Sequence, residues 1–73
     1  MPEFTYEIKD TFGKLVESPN GWAKELKFIS WAGRDPKYDL RDWSPDGTKM
    51  NKGITFTKEE LIALRDLLNS IEL

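Results

Sequence analysis

The sequence contains neither cysteine nor histidine among its 73 residues. Disulfides are therefore excluded, as are the Cys/His zinc sites that stabilise many chains of this size. The same absences remove the commonest nucleophile, general base and transition-metal ligand of enzymes. No glycine-rich phosphate loop is present, since Gly13 and Gly53 stand alone. Asp35, Asp39 and Asp42 invite a hard-metal reading, but Asp39 and Asp42 point to opposite faces of one strand, and scattered ion pairing is expected instead. No apolar run is long enough for a membrane span, and the N-terminal MPEFTYEIKD is polar and alternating, unlike a signal peptide. The expectation is a cytoplasmic protein with no enzymatic activity, cofactor, metal or small-molecule substrate.

What remains is one domain, residues 1–73, near the lower size limit for a self-supporting core. Nine aromatics and 38% hydrophobic residues allow only a modest core, so association with a second copy is the stabilising device left. The net charge of −2 hides a segregation. Residues 1–20 carry two cations and four acids, and residues 59–73 carry one cation and four acids. The middle, 21–58, holds eight cations against five acids, together with Trp22, Trp31 and Trp43.

Hydrophobic periodicity assigns the elements. FTYEIK alternates with period two, and the strand continues through TFGKLVE, with Gly13 at a bend or bulge. SPNG (18–21) and SPDG (44–47) each place turn residues at four successive positions. Between them KELKFISWA and KYDLRDW read as strands joined by a turn at GRDP, and KGITF as a last short strand. Thr57 and Glu60 form a capping box for a helix running from Lys58 to the C-terminus. The fold class is α+β, four antiparallel strands followed by one helix. Leu61, Ala63, Leu64, Leu67, Leu68 and Ile71 cover an arc of roughly 160° at about 100° per residue, wider than one sheet face requires. A deeply seated helix or a second contact with a partner subunit's helix would use that surplus; the small core favours the second.

Alternation then sorts the sheet into two faces. Leu26, Phe28, Tyr38, Leu40, Ile54 and Phe56 form the expected core side, under the helix. Lys27, Ile29, Trp31, Asp39, Arg41, Trp43 and Thr55 form the opposite, helix-free side. Cations alternating with indoles suit a single-stranded nucleic acid, because cations neutralise phosphates and rings stack unpaired bases without reading sequence. The same pattern serves aromatics that cover long side chains or fill a dimer interface, so both readings stand on the pattern alone. Trp22, just after a turn, is expected to close a hairpin end, and Lys14 and Lys58 are expected to be solvated.

The segment KYDLRDW-SPDG-TKM-NKGITFT-KEELIALRDLL resembles the C-terminal domain of the transcriptional coactivator family called positive cofactor four. The shared pattern is Tyr38-Asp39-Leu40-Arg41-Asp42-Trp43, the turn Pro45-Asp46-Gly47, Met50, Lys52-Gly53-Ile54-Thr55-Phe56, and an amphipathic helix. GW, KEL, SW, PKYD, WSPD and KGIT bring it nearest to the bacterial YdbC-like branch, over about residues 6–70. The resemblance implies a curved four-stranded sheet plus helix, a homodimer, and a groove for single-stranded DNA. It implies a stacking role for Trp31, a phosphate contact for Arg41, and binding positions at Lys52, Gly53 and Lys24. Ile29, Ala32 and Gly33 stand where the family carries basic residues, so weaker binding, or greater reliance on stacking by Trp31 and Trp43, is expected.

The expected function is thus single-stranded DNA binding with little sequence preference, in transcription regulation, replication or repair, with association with the bacterial nucleoid a further expectation. The expected interface comprises Lys24, Lys27, Trp31, Lys37, Arg41, Trp43, Lys52 and Gly53. A single-stranded RNA binder and a protein-interaction module using the same face are the alternatives.

Overall fold

The computed structural model describes residues 5–73. Strands Tyr6–Glu17 (β1), Ala23–Trp31 (β2), Lys37–Trp43 (β3) and Ile54–Phe56 (β4) precede one helix, Lys58–Ser70 (α1). The strands pair antiparallel in chain order, β1-β2-β3-β4, as the alternation predicts. Boundaries differ slightly: β4 starts at Ile54 and not at Lys52, and the helix stops at Ser70. Phe4, assigned to the first strand, lies outside the described residues.

Local chemistry sets the connections. In SPNG the Gly21 amide donates to the Ser18 carbonyl at 2.9 Å, and the Trp22 amide donates to Asn20 Oδ1 at 3.1 Å. In SPDG the Gly47 amide donates to the Ser44 carbonyl at 2.9 Å. The third reversal lies where it is expected. The connection between β2 and β3 contains GRDP but opens one residue earlier, in a turn at Trp31–Arg34 where Ala32 (φ 52°) and Gly33 (φ 73°) both adopt the left-handed conformation. Two successive left-handed residues turn the chain tightly at the end of β2, ahead of the remaining connection to β3.

The sheet is strongly curled. Trp31 ends β2, whereas Trp43 pairs with Ala23 at the opposite end of that strand. Eight residues of flat strand would separate these ends by roughly 26 Å. Yet both indoles lie close to one phenol, with Tyr6 ring centroids 5.3 Å from Trp31 and 5.9 Å from Trp43. Three register irregularities in β1, at Ile8/Asp10, Thr11/Gly13 and Lys14/Val16, provide bending of the kind bulges impose.

Curling reverses the expected burial. The helix-free face was assigned to solvent, but it holds the innermost residues: Ile29 and Asp39 at 0% exposure and Trp43 at 1%. Its concave side closes on itself, so its side chains cover one another. The convex side, expected to be the core, is only half covered. Leu26, Phe28, Tyr38 and Leu40 are intermediate and Ile54 is exposed. The helix packs on β3 and β4 and buries none of its own residues. It leaves an open apolar groove of about 680 Å³ against the sheet, lined by Leu15, Leu26, Leu40, Leu61, Leu64 and Leu68 among others.

The helix start is as predicted. Thr57 Oγ1 accepts from the Glu60 amide at 3.1 Å, while Glu60 Oε1 accepts from the Thr57 amide at 2.8 Å. Among the described residues, no helix is long and apolar enough to cross a membrane.

The SPDG turn carries a pH dependence. Asp46 Oδ1 accepts from Ser44 Oγ (2.7 Å), the Thr48 amide (3.1 Å) and Thr48 Oγ1 (2.8 Å). The Ser44 hydroxyl foremost, then the Thr48 donors, lower its pKa from 3.8 to about 2. A depressed carboxylate pKa stabilises the fold above the unfolded value and loses that contribution as pH falls through the folded one. The turn is therefore expected to hold at pH 4 and above and loosen between about pH 4 and pH 2. A carboxyl NMR titration of Asp46 with a midpoint near 4 would contradict this.

Candidate nucleic-acid interface

The site begins with the turn that follows β2. The Arg34 amide donates to the Trp31 carbonyl at 2.9 Å, the Ala32 amide to the Thr5 carbonyl at 2.9 Å, and Ser30 Oγ to the Arg34 carbonyl at 2.5 Å. A left-handed alanine costs on the order of 1–2 kcal/mol, so these three bonds hold a conformation the chain would not adopt unaided. The result sets Arg34 and Asp35 beside the Trp31 ring.

On β3, alternation brings Lys37, Asp39 and Arg41 to the same face, opposite Ile29, Lys27 and Glu25 of β2. Arg41 is fixed from several sides. Its Nε and Nη2 donate to the two carboxylate oxygens of Asp39 at 2.7 and 2.6 Å. Nη1 reaches the Asn51 carbonyl at 3.4 Å and Met50 Sδ at 3.5 Å. The guanidinium carbon lies 4.6 Å from the Trp31 ring centroid, a cation–π distance. Arg41 thus backs the indole as a flat, immobilised partner while Asp39 satisfies much of its charge.

Gly53 makes room for this arrangement. A Cβ there would run into Arg41 Cβ and the Leu40 carbonyl oxygen, and would lie 2.9 Å from Arg41 Nε. The absence of a side chain lets the approach to β4 pass directly over Arg41.

These elements enclose a cavity of about 280 Å³ lined by Trp31, Arg34, Asp35, Lys37, Arg41 and Thr55. Of the predicted residues, Trp31, Lys37 and Arg41 meet there, with Gly53 adjoining Arg41. Lys52 is exposed and, like Arg34, Lys37 and Lys49, forms no ion pair among the described residues.

Three predicted residues lie elsewhere. Lys24 pairs with Asp42 at 3.2 Å, near the far end of β2. Lys27 was expected to be exposed but is buried. Its Nζ sits 3.2 Å from Glu25, 3.4 Å from Thr11 Oγ1 and 4.9 Å from the Trp43 ring centroid. Trp43, expected as an exposed stacking ring, is instead packed between Lys27 and Tyr6 inside the curl. Its Nε1 has no hydrogen-bond partner among the described residues. The curl brings these two side chains inward, which alternation alone does not reveal.

Arg34, Asp35 and Thr55 line the cavity without having been assigned to the site. Thr55 had been placed on the right face. Arg34 and Asp35 follow Trp31 within four residues, and the left-handed Ala32 that turns the chain there is not something its residue type signals.

The fold is thus a small open sheet with one helix, carrying an aromatic cavity lined by cations. A family model described as Transcriptional Coactivator p15 (PC4) matches residues 18–67. A Treponema pallidum (strain Nichols) protein described as "Uncharacterized protein" is 58% identical over 71 residues, covering 97% of this chain and 84% of that protein. The chain belongs to the PC4 family, a family of non-enzymatic nucleic-acid-binding domains with coactivator members.

Replacing Gly53 by alanine is expected to displace Arg41 from Trp31 and destabilise the fold by about 1–3 kcal/mol, as overpacking does. Urea unfolding gives the stability, and the Trp31 indole NMR resonance gives the displacement. An unchanged midpoint and resonance would rule out the close approach described.

Proposed function

We propose that the chain is a binding domain for single-stranded DNA with little sequence preference overall, serving transcription regulation, replication or repair, within the bacterial branch of its family. The observation carrying this reading is the cavity in which the Trp31 ring meets Arg34 and Lys37, two cations without ion-pair partners among the described residues. The indole supplies a surface for one base. Arg34, Lys37 and the nearby Lys52 neutralise phosphates, while Arg41, held by Asp39, orients the indole.

We further propose a homodimer formed through the convex side. The groove between α1 and the sheet is apolar, and Leu15, Ile62 and Leu68 of its lining are exposed. A second copy offers the matching surface: in a two-fold dimer the same helix and groove face each other. The resemblance of the sequence to dimeric coactivator domains supports the same occupant.

Tryptophan fluorescence titrated with dT15, oligo-U and duplex DNA tests the first reading. Quenching by dT15 is expected, with log K falling against log[salt] by about 0.7 for each phosphate neutralised. Trp31→Ala is expected to weaken binding about tenfold, in keeping with the ~1–3 kcal/mol a stacked base contributes. Stronger quenching by oligo-U would reassign the ligand to RNA, and no response to any of the three would leave a protein partner as the better reading.

Sedimentation equilibrium tests the dimer. The wild type is expected at twice the 8.5 kDa chain mass, and Leu68→Glu at the chain mass with its far-UV circular dichroism retained. A monomeric wild type at micromolar concentration would exclude this use of the groove.

A further inference from the structure

Asp35 is out of place in a cavity that only neutralises phosphate. It lines the space with Arg34, Lys37 and Arg41, and a carboxylate there repels the polyanion those cations attract. Its carboxylate accepts no hydrogen bond and joins no ion pair among the described residues. Nor is its position an accident of a loose loop, because the three hydrogen bonds of the Trp31–Arg34 turn fix the preceding residues.

Resting on the single-strand reading above, we infer that Asp35 reads the base stacked on Trp31 and selects guanine at that one position of an otherwise sequence-tolerant footprint. The reason is donor pattern. An ionised carboxylate only accepts hydrogen bonds, and it does so best from two parallel N–H groups. Guanine offers such a pair on its Watson–Crick edge, N1–H beside the N2 amino group. Thymine offers one N–H flanked by two carbonyl oxygens, which a carboxylate repels. Adenine and cytosine each offer an amino group beside a ring-nitrogen acceptor.

The remaining lining completes the match. Guanine O6, next to N1–H, is an acceptor, and the cavity provides donors for it in Thr55 and Lys37. Unstacked bases of a single strand present this edge freely, whereas duplex pairing hides it. A volume of about 280 Å³ lies just below the range of pockets for drug-sized ligands, in keeping with a single base.

The test compares d(TTG)5, the same strand with inosine for guanine, and dT15, by competition at fixed salt with wild type and Asp35→Asn. Wild type is expected to bind d(TTG)5 about fivefold or more tighter than dT15, the lower end of a bidentate base contact. Inosine, which lacks the N2 amino group, should lose most of that advantage. Asp35→Asn should strengthen dT15 binding by removing a negative charge and bring the three affinities together. Equal wild-type affinities would overturn base reading while leaving single-strand binding intact. So would an Asp35→Asn gain of the same factor on all three strands, which would make Asp35 merely a repulsive neighbour. Failure of the wild type to bind any of them would instead remove the nucleic-acid reading on which this one stands.

Discussion

A carboxylate wholly removed from water must be paired or give up its charge. Asp39 is buried to 0% exposure and meets that requirement with both oxygens on Arg41. Much of the molecule is arranged around this pair. Arg41 can reach Asp39 while lying against Trp31 only because position 53 has no side chain. The curl of the sheet is tolerable because the charges it turns inward are matched, Asp39 to Arg41 and Glu25 to Lys27. Replacing one partner would strand a buried charge, whereas the intact pairs hold the concave side in one arrangement.

That constraint also decides which cations face solvent. The two basic side chains that alternation singled out most clearly, Lys27 and Arg41, are engaged in holding the structure. The cations free to meet a polyanion, Arg34, Lys37 and Lys52, sit in or next to connections. A rigid strand scaffold presenting its reactive side chains from loops and strand ends is a common division of labour.

The strand order, the helix and its capping box were legible because each rests on local chemistry. Period-two alternation, SPNG and SPDG turns, and the Thr57–Glu60 pair all act within a few residues. Which face forms the core was not legible. Both faces carry enough apolar residues to qualify, and the deciding factor is curvature, produced by irregularities in β1 that pair it out of step with β2. Trp43 illustrates the limit: its sequence parity places it beside Arg41, yet only the curl puts it under Tyr6. Alternation placed Trp31 on the face that lines the cavity, whereas Arg34 and Asp35 depend on a left-handed alanine that propensity would not assign.

The irregularities of β1 have a second effect, on how the molecule meets its own kind. An open sheet has two edges, and a straight exposed edge is a template for adding further strands. Here one edge is β4, only three residues long. The other is β1, broken three times in its pairing and studded with Glu7, Lys9, Asp10, Lys14 and Glu17. Neither edge offers an incoming strand a continuous row of amides and carbonyls. The same kinks that bend the sheet thus also deny a further strand a straight edge on which to add.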